Sequence, residues 1–160
     1  MQPNRCVVCD THMSDEAIWR KHSDELVRYA TVLVGPSDAE DLVSAVVVRV
    51  LASGTSLGDL DDARPYLYRA VLNEAKNLRR SRGRSTPYAV EAVPPPEMRP
   101  EVVGAVMALP PQQRAAVYLV YWRDHSVGAA SKLMGCSPGS VKRYLFLARA
   151  RLRRRLSDDA

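Results

Sequence analysis

Gly135 and its neighbours constrain this chain more than any other stretch. Residues 127–134 carry a helical apolar pattern and follow Ser126, a good N-cap residue. Gly135 ends that pattern and allows a tight turn. Ser137-Pro138 then opens another helix, with serine at the N-cap and proline at the first helical position. Two helices of this length joined through a glycine turn predict a helix-turn-helix. In the second, "SPGSVKRYLFLARARLRRRL", Val141, Leu145, Ala148 and Leu152 form one stripe that must pack inward. Lys142, Arg143, Arg149 and Arg153 lie off that stripe, and Ser137 and Ser140 stand at the N-terminus, where free N–H groups favour phosphate. A basic amphipathic helix alone can be a solvated face. Preceded by a glycine-turned helix, it is better explained as a recognition helix for a DNA major groove.

The rest of the chain also reads as helix, so the expected fold class is all-α. Trp19, Leu26 and Leu33 repeat every seven residues within 14–33, with His22, Tyr29 and Ala30 on the same side. Gly35-Pro36 stops that helix. Ser37-Asp38-Ala39-Glu40 reads as a capping box for a second helix over 38–53, which buries Leu42, Val46, Val47 and Val50. Residues 53–65 form a Gly-, Ser- and Asp-rich loop, and Pro65 suits the first turn of a third helix, 65–82. There Leu67, Val71 and Leu78 share one side, and Arg69, Asn73, Lys76 and Arg80 share the opposite one, flanked by Tyr66 and Asn77. Such a stripe offers cations for a strand backbone and an aromatic plane for a base.

Residues 83–99 hold Gly83, Pro87 and Pro94-Pro95-Pro96 with no helical or strand period, which predicts a linker. Short helices are expected over 100–108 and 111–123. The division is therefore a 1–13 extension, a helical domain over 14–82, the 83–99 linker and a helix-turn-helix domain over 100–157.

Charge separates along this plan. Residues 1–62 carry five Lys and Arg against eleven Asp and Glu, a net of −6, whereas 63–99 carry +5 and 100–160 carry +6. The basic part suits a polyanion and the acidic part a protein. No apolar run is long enough to span a bilayer and no secretory signal is evident, so membrane insertion is not expected and the cytoplasm is the default location. Three cysteines, Cys6, Cys9 and Cys136, do not make a disulfide framework. Cys6, Cys9 and His12 are spaced like metal ligands, but a fourth ligand is not evident nearby, so no metal or other cofactor is expected. Met13 is an alternative start that would leave the pair outside the chain. Asp38, Glu40 and Asp41 form a close carboxylate cluster without a convergent nucleophile or base, so the chain does not read as an enzyme.

"SDAEDLVSAVVVRVLAS" followed by "ARPYLYRAVLNEAKNLRRSRGR" resembles region 2 of the sigma-70 family, in its extracytoplasmic-function group. "LPPQQRAAVYLVYWRDHSVGAASKLMGCSPGSVKRYLFLARARLRRRL" resembles region 4 of the same group. The order and the intervening linker match, over about residues 14–156. The resemblance implies a promoter-specificity subunit of bacterial RNA polymerase. Its partners would be core polymerase, promoter DNA and an anti-sigma factor. Asp38, Glu40, Asp41 and Leu42 fall in the segment that docks on polymerase. Tyr66, Arg69, Asn73, Lys76, Asn77 and Arg80 would face the minus-ten element. Ser137, Ser140, Lys142, Arg143 and Arg149 would face the minus-thirty-five element. The alternative is a helix-turn-helix regulator that is not a polymerase subunit, which leaves the second and third helices unexplained. Several positions depart from the family pattern: Ser44-Ala45-Val46-Val47, Tyr66 for the usual tryptophan, Gly128-Ala129-Ala130-Ser131, and Tyr144-Leu145-Phe146-Leu147. They bear on promoter sequence and strength more than on class.

Overall fold

The computed structural model describes residues 13–83 and 99–158. They form α1 (Asp15–Val34), α2 (Pro36–Ala52), α3 (Ala63–Ser81), α4 (Pro100–Met107), α5 (Pro111–Val117), α6 (Val127–Met134) and α7 (Pro138–Asp158). Short 3-10 and π-helical turns lie at Leu57–Asp59 and Tyr118–Trp122. No strand occurs among the described residues, as the all-α expectation requires.

The first three helices wrap around Leu26, Tyr29, Leu33, Leu42, Val46, Leu67 and Val71, all buried. α1 starts at Ser14, whose hydroxyl accepts from the Ala17 N–H. Asp15, in its first turn, accepts from the Gly58 N–H at 3.1 Å and the Ser56 hydroxyl at 3.3 Å, fastening the Leu57–Asp59 turn to the helix start. α3 begins earlier than Pro65 suggested, because the Asp62 carboxylate caps it by accepting from the Arg64 N–H.

The capping box at Ser37 does not form. Gly35, at φ 89°, closes α1 by donating its N–H to the Thr31 carbonyl and is also the N-cap of α2. Pro36 follows at the first helical position, where its fixed φ suits the helix. Ser37 therefore lies inside the first turn, exposed, with no cap bond to make.

α4–α7 pack around Leu109, Ala116, Leu119, Ala130, Val141, Leu145 and Ala148. Ser126 caps α6 by accepting from the Ala129 N–H, Gly135 takes the left-handed conformation at φ 66°, and Ser137 accepts from the Ser140 N–H to start α7. The helix-turn-helix is thus built on the predicted punctuation.

The sequence did not predict that the two halves meet. Their apolar residues form one cluster, with the Tyr29 ring 4.7 Å from Tyr68 and 5.9 Å from Tyr118. α3 lies against α6, and α1 against α5. Of the expected linker, residues 84–98 lie outside the described residues.

Candidate nucleic-acid interface

Ion pairing sorts the cations of α3 into two kinds. Arg64 binds Glu25 through Nε and Nη2 at 2.9–3.1 Å. Glu25 also accepts from the Tyr68 hydroxyl and lies 2.5 Å from His22. Burial works to raise the Glu25 carboxyl, but the bonds from Arg64, His22 and Tyr68 outweigh it and hold the pKa below the usual value. Burial, with the Glu25 charge, pushes Tyr68 up to about 12. Arg82 pairs with Asp38. These arginines hold helices together. Arg69, Lys76 and Arg80 have no carboxylate partner among the described residues.

On the predicted stripe, Arg69, Asn73, Asn77 and Arg80 are exposed, and Tyr66 and Lys76 are half-buried. Lys76 donates to the Asn73 side-chain carbonyl at 3.2 Å. At its far end the stripe borders a groove of about 320 Å³ lined by Lys76, Arg79, Arg80 and Gly83 on one side and Pro110, Pro111 and Gln112 on the other. Among the described residues no carboxylate lines it, so the groove is suited to anions.

On α7, Val141, Leu145 and Ala148 are buried and Leu152 is half-buried, which turns Lys142 and Arg143 outward. Ser137 and Ser140 are engaged with each other, their hydroxyls 3.0 Å apart. Arg149 is exposed yet tethered: its Nε donates to the Tyr121 hydroxyl at 2.8 Å, its Nη2 also reaches that oxygen, and the guanidinium lies 5.6 Å from the ring centre. Arg151 donates to Gln113 at 2.8 Å. Phe146 is 70% exposed, and Lys142, Arg143, Arg149 and Arg153 flank it on the helical wheel.

Tyr121 and Trp122 escaped the sequence pattern. The helix expected over 111–123 changes to a π turn at Tyr118. That turn shifts the angular phase and leaves Tyr121 and Trp122 exposed.

On α2, Glu40 and Asp41 are exposed. Leu42 is only 4% exposed, in the core between helices, and so cannot itself be a surface contact. Asp38 is tied to Arg82, which holds its carboxyl below the usual range. The outward face continues instead through Ser44 to Val48 and Leu51, 66% and 62% exposed. Glu40, Ser44, Val48 and Leu51 fall within about 80° on the helical wheel. The signal was available in "AVVVRVLA", which holds more apolar residues than one inward stripe can use.

Cys6, Cys9 and His12 lie outside the described residues, and among those described no group of His, Cys, Asp and Glu could hold a metal ion. No described helix is long and apolar enough to cross a membrane.

Two family models match the sequence: Sigma-70 region 2 over residues 18–85, and Sigma-70, region 4 over residues 100–152. The chain is 31% identical to the RNA polymerase sigma-E factor of Streptomyces antibioticus, over 88% of this chain and 83% of that protein. It is 28% identical to the ECF RNA polymerase sigma factor SigM of Mycobacterium tuberculosis, over 94% of this chain and 80% of the relative. Among solved structures it is similar to the sigma factor RpoE in complex with the anti-sigma factor NepR from Bartonella quintana. The TM-score is 0.63 and the identity 25%, over 91% of this chain and 98% of that one. CnrH in complex with the cytosolic domain of CnrY shares the fold, with a TM-score of 0.59 at 20% identity over 91% and 89% of the two chains.

Proposed function

Because the chain belongs to the sigma-70 family, in its extracytoplasmic-function group, we propose which of its surfaces meets each partner of a sigma factor. The chain is an RNA polymerase sigma factor: it binds core polymerase and promoter DNA, and an anti-sigma factor is its further partner. The units that do this are residues 14–82 and 100–157, connected by 83–99. The chain works by binding, in the cytoplasm, with no reaction of its own.

The observation that carries the assignment is the pair of basic helices, α3 and α7, one in each unit, each with an inward apolar stripe and outward cations. On α3, Arg69, Lys76 and Arg80 neutralise phosphates of the minus-ten strand. Asn73 and Asn77 supply donors and acceptors for base edges, and Tyr66 offers a plane for an unstacked base. On α7, Lys142 and Arg143 reach into the minus-thirty-five major groove. Ser137 and Ser140 set the helix start against the backbone, and Arg149, held by Tyr121, is a fixed positive charge. On α2, Glu40 and Asp41 give an acidic end and Val48 and Leu51 an apolar one to a docking face for core polymerase. Asp38 and Leu42 support that face from within the fold.

The test is run-off transcription by core polymerase with and without the chain, together with comigration of chain and core on a sizing column. Comigration with promoter-dependent transcripts supports the assignment. DNA binding without comigration favours a regulator that is not a polymerase subunit.

A further inference from the structure

Tyr121 reaches α7 from the end of the α5 segment, before the helix-turn-helix begins. The π turn over Tyr118–Trp122 brings it there: the Arg123 N–H returns to the Tyr118 carbonyl, five residues back, at 3.0 Å. Tyr118 and Leu119 stay buried, and Tyr121 comes out 50% exposed with its hydroxyl against Arg149. The Arg149 Nε and Nη2 both donate to that one oxygen, and the guanidinium also lies 5.6 Å from the ring centre.

The charge of the holder sets this contact apart. In the first helical unit, arginines are fixed by carboxylates: Arg20 by Glu16, Arg49 by Glu74, Arg64 by Glu25 and Arg82 by Asp38. Each such pair cancels the charge that it fixes. On α7 no cation pairs with a carboxylate among the described residues. Its two held arginines rest on neutral oxygens, Arg149 on the Tyr121 hydroxyl and Arg151 on the Gln113 amide. A hydroxyl orients a guanidinium without neutralising it.

Orientation matters for a side chain this long. A free arginine gives up its rotamer freedom when it settles on a phosphate, whereas a held one has given it up on folding. With Nε and Nη2 on the hydroxyl, Nη1 has no partner among the described residues and is open to a phosphate oxygen. Arg149 also lies further along α7 than Lys142 and Arg143, past the first turns that carry the base-reading candidates.

We propose that Tyr121 is a positioning residue for promoter binding: its hydroxyl holds Arg149 ready for a phosphate beside the minus-thirty-five groove, with the charge intact. The proposal rests on the assignment of α7 to that element. Tyr121 then adds affinity that does not depend on sequence, because phosphate contacts position a helix and base contacts specify.

The experiment is fluorescence anisotropy of the full chain with a random-sequence DNA duplex over a series of salt concentrations, with circular dichroism to check that each variant keeps its helices. Arg149→Ala should weaken binding and make the slope of log affinity against log salt shallower by about 0.9, the loss of one phosphate contact. Tyr121→Phe keeps the ring and removes the acceptor. It should weaken binding about fivefold with the slope unchanged, because Arg149 still reaches its phosphate but must be ordered on binding. The double variant Tyr121→Phe with Arg149→Ala should bind as Arg149→Ala does. Tyr121→Glu keeps a holder but cancels the charge, so it should weaken binding and flatten the slope as well. Wild-type affinity in Tyr121→Phe overturns the proposal, and so do losses that add in the double variant, since Tyr121 would then act apart from Arg149. Wild-type affinity in Arg149→Ala overturns it by way of the minus-thirty-five assignment. If Tyr121→Phe loses helicity, Tyr121→Glu decides, and an unchanged slope there overturns the proposal.

Discussion

Arg82, at the end of α3, grips Asp38 at the start of α2 with both terminal nitrogens, Nη1 2.6 Å from one carboxylate oxygen and Nη2 3.0 Å from the other. The two helices proposed to carry separate surfaces, α2 for polymerase and α3 for DNA, are thereby fixed to each other at one end.

That pair has a pH signature. The Asp38 pKa in the folded chain lies below its ordinary 3.8, chiefly through the Arg82 hydrogen bond. A carboxyl depressed by folding contributes stability that is fully present above its unfolded pKa and is lost as pH falls through the folded one. Asp38→Asn should therefore melt below wild type at pH 7, and the gap should begin to narrow near about pH 4 and close only below the depressed folded pKa. Thermal melts at several pH values check this. A gap that stays constant into acid would show that the carboxylate charge is not what the fold uses.

Glu40 and Asp41 differ from Asp38 in being exposed. Reversing both charges should leave stability within about 0.5 kcal/mol of wild type. Binding to core polymerase should weaken by several kcal/mol if like charges then meet across the interface. Val48→Ser and Leu51→Ser together should also weaken binding without unfolding the chain. A pull-down at moderate salt, beside a melting curve, separates the two effects.

Tyr29 is fully buried, and its hydroxyl has no hydrogen-bond partner among the described residues. An unsatisfied buried polar group costs about 1–3 kcal/mol. Tyr29→Phe keeps the ring that packs on Tyr68 and Tyr118, and it should raise the melting temperature by about 2–4 °C per kcal/mol recovered. A lower melting temperature would mean that the hydroxyl is satisfied in solution.

Arg143 and Arg154 separate base reading from general attraction. Both are exposed, but Arg143 lies in the second turn of α7 and Arg154 near its C-terminal end. Arg143→Ala should lower transcription from promoters with an intact minus-thirty-five element and, for a base contact, cost about 1–3 kcal/mol with relaxed preference there. Arg154→Ala should act weakly and without sequence preference, chiefly by making the salt dependence shallower. Scrambling the upstream element should erase the effect of Arg143→Ala and spare that of Arg154→Ala.

What was legible in the sequence was whatever local chemistry decides. Ser126, Gly135 and Ser137 each act on neighbouring backbone groups, so the helix-turn-helix could be placed almost to the residue. Gly35 was read as a stop but not also as the next helix's start, because a capping box at Ser37 looked equally good and only the tight junction excludes it. The π turn at Tyr118 carries no residue signature, and without it the exposure of Tyr121 and its hold on Arg149 could not be foreseen. Leu42 was placed on a surface by family resemblance and not by its own apolar phase, which pointed inward. The contact between the two halves lies beyond local reasoning altogether. Arg114 looks like any helix arginine until the Leu33 carbonyl of α1 is placed beside it.

The most direct test of the account is transcription by core polymerase from a random promoter library, with the full chain and with variants lacking either DNA surface. The account predicts that transcripts depend on the chain and that selected promoters share two elements at fixed spacing. Lys76→Ala with Arg80→Ala should lose preference at the downstream element, and Arg143→Ala at the upstream one. Transcripts that do not depend on the chain, or promoters whose two elements respond equally to both sets of substitutions, would contradict it.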